Sequence, residues 1–275
     1  MLRFIVAEWP ENPFRNLAFE EAFYRHGLAG AWRAGVRFWR NSNAVIIGRL
    51  QCAALEVNAI ECKRLGVKLV RRFTGGGAVY HDYGNLNYAI VLQRGEQGVR
   101  SLQEAFKLVG EVVASAIASM GVSRARYKPI NDIEVEGLKI SGLAATIDQE
   151  RVFVHGSLLV SSDLAVLWRV LKVSREKLAD KKFVGSRVKR VTTLSEQLGR
   201  SVGIEETIKA IADALSDRLG HSAEWMQPSK EELEETSRLY REKYARTEWN
   251  LKFLEHVKPY LSQEEIEALV EIAQP

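Results

Sequence analysis

Three short stretches of the chain gather residue types that could do chemistry. The first is Arg71-Arg72-Phe73-Thr74-Gly75-Gly76-Gly77, with His81-Asp82, Asn85 and Asn87 behind it. Three consecutive glycines remove every Cβ from a loop, so backbone N–H groups can approach an anion closely and converge on it. Such a loop would cradle a phosphate, although a tight turn or sheet bulge uses glycines in the same way. It lacks the Gly-Lys-Ser/Thr ending of a P-loop, and no helix opens behind it as a dinucleotide fingerprint requires. The second stretch is Asn131-Asp132, a turn at Glu136-Gly137, then Leu138-Lys139-Ile140-Ser141-Gly142. A lysine in a core strand is costly unless it reaches water or meets an anion, so Lys139 is either an edge-strand surface residue or an anion ligand. Asp132 offers a hard oxygen to a Mg2+ carried by a nucleotide; a turn-capping carboxylate would read the same. The third is His155-Gly156-Ser157 inside an apolar run. A histidine there is more commonly a hydrogen-bonded core residue than a catalyst, and no nucleophile elbow surrounds it.

The elements that must position these residues follow from periodicity and punctuation. Residues 2–8 read as a strand, and Asn12-Pro13 opens a helix to about residue 24 with Phe14, Leu17, Ala18 and Ala22 on one face. Residues 36–40 and 44–47 read as a hairpin around Asn41-Ser42-Asn43. A helix over 56–65 ends at Gly66, and a strand over 67–71 leads into the glycine loop. Strands over 78–81 and 86–93 flank a second turn, Asp82-Tyr83-Gly84-Asn85, and residues 101–120 form an amphipathic helix closed by Gly121. Strands over 133–135, 139–147 and 152–160 follow. Helices then dominate: 204–219, 229–246 behind Ser229-x-x-Glu232, and a terminal one behind Ser262-x-x-Glu265. This order predicts an α+β fold, a mixed and largely antiparallel sheet covered by helices. The short connections at 41–43 and 82–85 predict antiparallel neighbours.

Composition narrows the partners. The 275 residues are 46% hydrophobic and 27% charged, the balance of a folded globular chain. No apolar run approaches the roughly 20 residues that span a bilayer, and residues 1–10 lack a signal-peptide pattern, so no membrane association and a cytoplasmic location are expected. A formal charge of +4, without a Lys/Arg stripe interleaved with aromatics, argues against nucleic acid and suits an acidic protein or a polyphosphate. Cys52 and Cys62, with no Cys or His nearby, suggest neither a zinc site nor a disulfide framework.

Taken together, the three stretches resemble the lipoate–protein ligase A family, part of the superfamily of biotin/lipoate ligases and octanoyltransferases. Residues 71–82, with Gly84-Asn85-Leu86-Asn87, are similar to its Arg-Arg-x-Ser/Thr-Gly-Gly-Gly-x-Val-x-His-Asp signature. Asn131-Asp132-Ile133, Lys139-Ile140-Ser141-Gly142 and His155-Gly156-Ser157-Leu158-Leu159 follow in the family's order. Ser186-Arg187-Val188 and Val191-Thr192-Thr193-Leu194 resemble its Ser-Arg-Val-x-x-Leu stretch, and Glu248-Trp249-Asn250 resembles the end of its catalytic domain. The resemblance implies a catalytic domain over 1–253 and a short helical tail over 254–275.

It also implies a reaction. Lipoate, or octanoate, would be activated by ATP with Mg2+ to the acyl-AMP, and the acyl group then passed to a lysine of a lipoyl-acceptor protein. Such acceptors are the E2 lipoyl domain of a 2-oxoacid dehydrogenase or the glycine-cleavage H protein. By resemblance Lys139 is the catalytic residue. Arg72, Gly75, Gly76, Gly77, Ala78, Val79, Tyr80, Asn85, Asn131 and Asp132 would bind ATP or the acyl-adenylate, with His81 and His155 behind them. Because only 254–275 follow the Trp-Asn stretch, the chain resembles the bipartite ligases, whose small accessory subunit is a separate polypeptide.

Three other readings are tested by the same residues. An octanoyl- or lipoyltransferase working through a cysteine thioester needs a reactive thiol near the lysine, and neither cysteine falls within 160–200, where such relatives place theirs, so the transferase alternative is a cysteine-independent or atypical one. A biotin ligase would carry Gly-Arg-Gly-Arg, whereas Gly48-Arg49 continues as Leu50-Gln51-Cys52. A noncatalytic acyl-adenylate-binding module would have lost Lys139 or the glycines, and both are present.

Overall fold

Two sheets carry the three stretches toward one another in the computed structural model, which describes residues 1–29, 32–172, 191–220 and 222–275. Across its width the larger sheet contains β11 (Ala223–Trp225), β1 (Leu2–Val6), β2 (Ala34–Trp39), β6 (Asn85–Gln93), β10 (Arg151–Leu159), β9 (Leu138–Ile147), β8 (Asp132–Val135) and β7 (Ala125–Lys128). β1 is parallel to both β2 and β11, and the remaining neighbours are antiparallel. In the smaller sheet β3 (Asn43–Ile47) lies between β4 (Lys68–Arg71), parallel to it, and β5 (Val79–Asp82), antiparallel. The α+β architecture with a mixed, largely antiparallel sheet is as expected.

The two expected hairpins are not hairpins. β2 and β5 do not pair with β3 and β6, their successors across the short turns, in the way a hairpin requires: β2 and β6 lie in the large sheet, β3 and β5 in the small one. Each turn therefore hands the chain from one sheet to the other. Turn residues specify a reversal, but neighbouring surfaces choose the strand's partner. Asn41 in the first turn is fully buried and bonded to Asn16 of helix α1 (Pro13–His26) and to His81 of β5. In the second, Gly84 O accepts from Val160 and Ser161 N–H at 3.0 and 2.9 Å, which ties the turn to the end of β10.

Smaller departures have local causes. The helix expected over 56–65 is split into α2 (Ala53–Glu56) and α3 (Ala59–Arg64), because Val57 bridges to Leu171 and Asn58 caps a fresh start. The helix expected to reach residue 246 ends as α8 (Lys230–Leu239) and widens into a π-turn, Tyr240–Tyr244, that brings the Tyr244 hydroxyl to Glu21 at 2.6 Å. Short elements without strong periodicity, β7, β11, α5 (Leu164–Val170) and α6 (Leu194–Leu198), were not anticipated.

Strand alternation gives the large sheet two different faces. Val36, Phe38, Tyr88, Ile90, Ile140 and Val154 pack on one side against α4 (Leu102–Ser119) and α7 (Ile204–Leu219). On the other, Ile5, Ala89, Val91 and Phe153 meet Phe19 and Phe23 of α1. The small sheet has its own core, in which Val45, Ile47, Cys62 and Leu69 meet Leu269 and Ile272 of α10 (Gln263–Ile272). The segment expected as a tail is thus packed into that core, and Asn250 reinforces it by donating to Ala273 O at 3.2 Å. Capping boxes at Ser101/Glu104, Ser229/Glu232 and Ser262/Glu265 fix the starts of α4, α8 and α10, each contributing about 1 kcal/mol.

Candidate active site

The α1-facing side of the large sheet and the glycine loop of the small one enclose a cavity of about 620 Å3, within the usual range for a small-molecule site. Small residues leave the space: Asn87, Gly142, Ala144 and Ser157 line it from three adjacent strands. The glycine loop lies over them. Gly76 has φ +93°, and a Cβ there would stand 3.5 Å from the Ala144 Cβ and 2.7 Å from Arg72 Nη2, so this position needs glycine for both backbone and space. Gly48 stacks behind, where a Cβ would be 2.2 Å from Gly76 O.

The two arginines set the loop's shape. Arg72, 4% exposed, donates from Nε and Nη2 to Gly75 O at 3.0 and 2.6 Å, from Nη2 to Gly77 O at 2.8 Å and from Nη1 to Ile46 O at 3.3 Å. In a trans peptide the following N–H points opposite to the C=O, so the Gly76 and Ala78 N–H groups are turned away from the guanidinium. Burial lowers the Arg72 pKa to about 10, which leaves it charged at neutral pH. Arg71 is a second hub: it donates to Gly48 O, Gln51 O, Trp249 O and Asn250 O, while Trp249 Nε1 returns a bond to Arg71 O at 2.8 Å. The Trp249-Asn250 pair therefore supports the site from behind.

Lys139 is not an edge residue. β9 lies between β10 and β8, and a bulge at Ile133/Glu134 shifts the register beside Lys139. Its carbonyl is fixed by Thr192 N–H at 2.9 Å, giving the Val191-Thr192 stretch a structural role. The ammonium lies on the cavity side, 2.8 Å from Asp132 Oδ1, with side-chain exposures of 28% and 8% for the pair. It lies across Gly142, where a Cβ would come within 2.6 Å of Nζ and 2.8 Å of Cε. On the opposite face Tyr88 lies across Gly156, and its hydroxyl meets Ser141 Oγ at 2.9 Å. The small residues of both motifs thus make room for specific large side chains.

His155 joins the loop to α1. Its Nε2 is 2.7 Å from Thr74 Oγ1 and its Nδ1 is 3.1 Å from Glu20 Oε1, with Thr74 and Glu20 both buried. His81 is buried beside Asn41 and Asn87, whose amides approach Nδ1 at 3.2 and 3.4 Å. Burial first, then the charge of Arg72 and the proximity of His155, push the His81 pKa down to about 3, so it is neutral when folded. An unfolded histidine near 6.5 takes up a proton that the folded one refuses; this stability is full above pH 6.5 and is lost as pH falls toward 3. The urea midpoint should therefore fall between neutral pH and mildly acid pH, and His81→Gln should show a shallower fall. Identical slopes would contradict the burial argument.

Of the residues expected at the site, Arg72, Gly76, Gly77, Ala78, Val79, Tyr80, His81, Asn131, Asp132, Lys139 and His155 line the cavity together. Gly75 and Asn85 do not; Asn85 donates to Asn87 Oδ1 at 3.0 Å, and Asn87 lines the wall instead. Asn131 donates to Leu143 O at 2.7 Å, which ties the turn to β9. Ser186-Arg187-Val188 lie outside the described residues. Sequence reasoning missed Glu20, Trp39, Trp168 and Lys172. A signal existed for Glu20, which falls on the apolar face of α1, three positions after Leu17; the others carry no local signature.

The family model described as the lipoyl protein ligase A/B catalytic domain matches residues 12–216. The chain is 33% identical over 266 residues to lipoate-protein ligase A subunit 1 of Thermoplasma acidophilum, a match covering 92% of this chain and 97% of that one. A lipoate-protein ligase A of Mycoplasma pneumoniae is 37% identical over 190 residues, 69% of this chain and 55% of its own length. Among solved structures, the Thermoplasma lipoate protein ligase with bound lipoic acid superposes with a TM-score of 0.78 at 30% identity, covering 90% of this chain and 98% of that one. A bi-partite ligase studied with its E2 lipoyl domain from the same organism gives 0.79 at 32%, covering 90% and 95%. A lipoate-protein ligase A bound with ATP gives 0.79 at 30%, covering 90% and 98%. With three quarters of its length matched and relatives spanning nearly all of it, the chain belongs to the lipoyl protein ligase A/B catalytic-domain family.

Proposed function

We propose that the protein activates lipoate, or the related octanoate, with ATP and passes the acyl group to a lysine of a lipoyl-acceptor protein. The observation that carries this reading is the Lys139 ammonium on the floor of a cavity roofed by the glycine loop. In the first step a carboxylate oxygen attacks the α-phosphorus and pyrophosphate leaves; in the second an acceptor amine attacks the acyl carbon, loses a proton and displaces AMP. Neither step needs a protein nucleophile. Both need positioning and a fixed positive charge where negative charge develops. Lys139 supplies that charge, held by Asp132 across Gly142, and the Gly76 N–H turned outward by Arg72 faces the phosphates. A Mg2+ brought by the nucleotide would neutralise the triphosphate, and the Asp132 carboxylate beside Lys139 offers it a hard oxygen, in keeping with Mg2+ held by one or two carboxylates and phosphates.

The thiols favour this reading over cysteine-based transfer. Burial raises the Cys52 pKa and pushes that of Cys62 up to about 12, so neither is a poised thiolate. Neither lines the cavity. The acceptor class we propose is an E2-type lipoyl domain or the H protein, with a small accessory subunit completing the catalytic chain, and the setting is the cytoplasm. No helix among the described residues is long and apolar enough to cross a membrane.

Pyrophosphate release measured with and without lipoate tests the reading. Lipoate-dependent release supports it, and acyl transfer from a carrier thioester without ATP turnover would replace it by the transferase. One positioning effect follows. Thr74→Val should loosen the loop from His155 and raise the ATP KM about tenfold, and Thr74→Ser should restore it. A Thr74→Val enzyme with an unchanged ATP KM would remove that link from the account.

A further inference from the structure

We propose that the outer end of the large sheet beside the cavity mouth, strand β7 with Arg126 and Lys128, receives the acyl-acceptor domain through carboxylates near its target lysine. The proposal rests on the ligase reading above, because the second step must bring a folded acceptor's amine to the acyl carbon. Part of the rim must therefore accept that protein's surface.

β7 leads straight into the rim. Lys128 is followed by Pro129 and Ile130, which line the cavity, and Ile130 is 74% exposed. The Tyr127 hydroxyl donates to Ile130 O at 2.6 Å and holds the turn in place. Tyr127 itself packs over Gly110 of α4, where a Cβ would be 2.3 Å from its ring. Alternation then places Arg126 and Lys128 on the other face, the one that carries the cavity. Lys128 stands opposite Asp132 and Arg126 opposite Glu134 in the β7–β8 register.

Four cations, Arg124, Arg126, Lys128 and Lys139, stand there against three carboxylates, Asp132, Glu134 and Glu136. Asp132 is already held by Lys139, and the neighbouring Arg124 is paired with Glu136. The side chains of Arg126 and Lys128, both exposed, make no hydrogen bond or ion pair with a described residue. β7 is also the last strand of its sheet among the described residues. Cations on an edge strand discourage indiscriminate strand pairing. They also steer an acidic surface toward the neighbouring reaction centre. An exposed apolar residue with these two cations beside it suits an acceptor that carries carboxylates near its target lysine.

The double variant Arg126→Glu/Lys128→Glu separates docking from chemistry. Its lipoate-dependent pyrophosphate release without acceptor should stay within about twofold of wild type, while the KM for an apo E2-type lipoyl domain rises about tenfold or more. Raising KCl from about 50 to about 300 mM should raise the wild-type acceptor KM and leave the variant's nearly flat. Direct binding of the same apo-lipoyl domain, followed by interferometry, needs no turnover and should weaken in parallel. Equal affinity in the two proteins, or no binding by wild type, overturns the docking proposal. Absence of lipoate-dependent pyrophosphate from wild type counts instead against the ligase reading.

Discussion

Lys139→Ala should lower lipoate-dependent pyrophosphate release by at least about a thousandfold, the scale of removing a principal charge-stabilising group. The loss should appear in kcat more than in the lipoate KM, because in the proposed mechanism the ammonium acts where charge develops on the α-phosphate and later on the carbonyl oxygen. The fold should survive with a measurable penalty. Asp132 is largely buried and loses the Lys139 ammonium from among its contacts, which costs about 1–3 kcal/mol. Adding Asp132→Asn should return most of that stability in urea unfolding without returning activity. A Lys139→Ala enzyme within tenfold of wild type would remove Lys139 from the centre of the mechanism.

Gly142→Ala should be the second most damaging change although it alters no chemical group. The added Cβ would meet Lys139 Nζ and Cε at 2.6 and 2.8 Å. The obstacle is the far end of a flexible side chain, so the lysine can move aside and the sheet need not. Displacing a catalytic charge by about 1 Å costs on the order of a hundredfold in rate. Thermal unfolding should therefore change little while adenylate formation falls steeply. Full activity in Gly142→Ala would mean that the ammonium position seen here is not the reactive one.

What was legible in the sequence follows from where specificity is local. Gly76 announces itself because no other residue fits a φ of +93° beneath Arg72, and Ser101, Ser229 and Ser262 announce helix starts because the cap bond closes within three residues. The partners of β2 and β5 were misread because a short turn encodes a reversal only, while contacts from Asn41 and Gly84 send the chain to the other sheet. At the site, the residue types were recognisable but some of their contacts were not. Arg72 reads as a phosphate ligand from its type, yet its guanidinium is bound to the carbonyls of its own loop. Glu20 was overlooked because its bond to His155 crosses 135 positions, and only the acidic residue on an apolar helix face hints at it.

The most direct test of the central claim is exchange of labelled pyrophosphate into ATP without any acceptor present. The account predicts label in ATP only when lipoate is added, and none above background with Lys139→Ala. Exchange that proceeds without lipoate, or that is undiminished in Lys139→Ala, would contradict it.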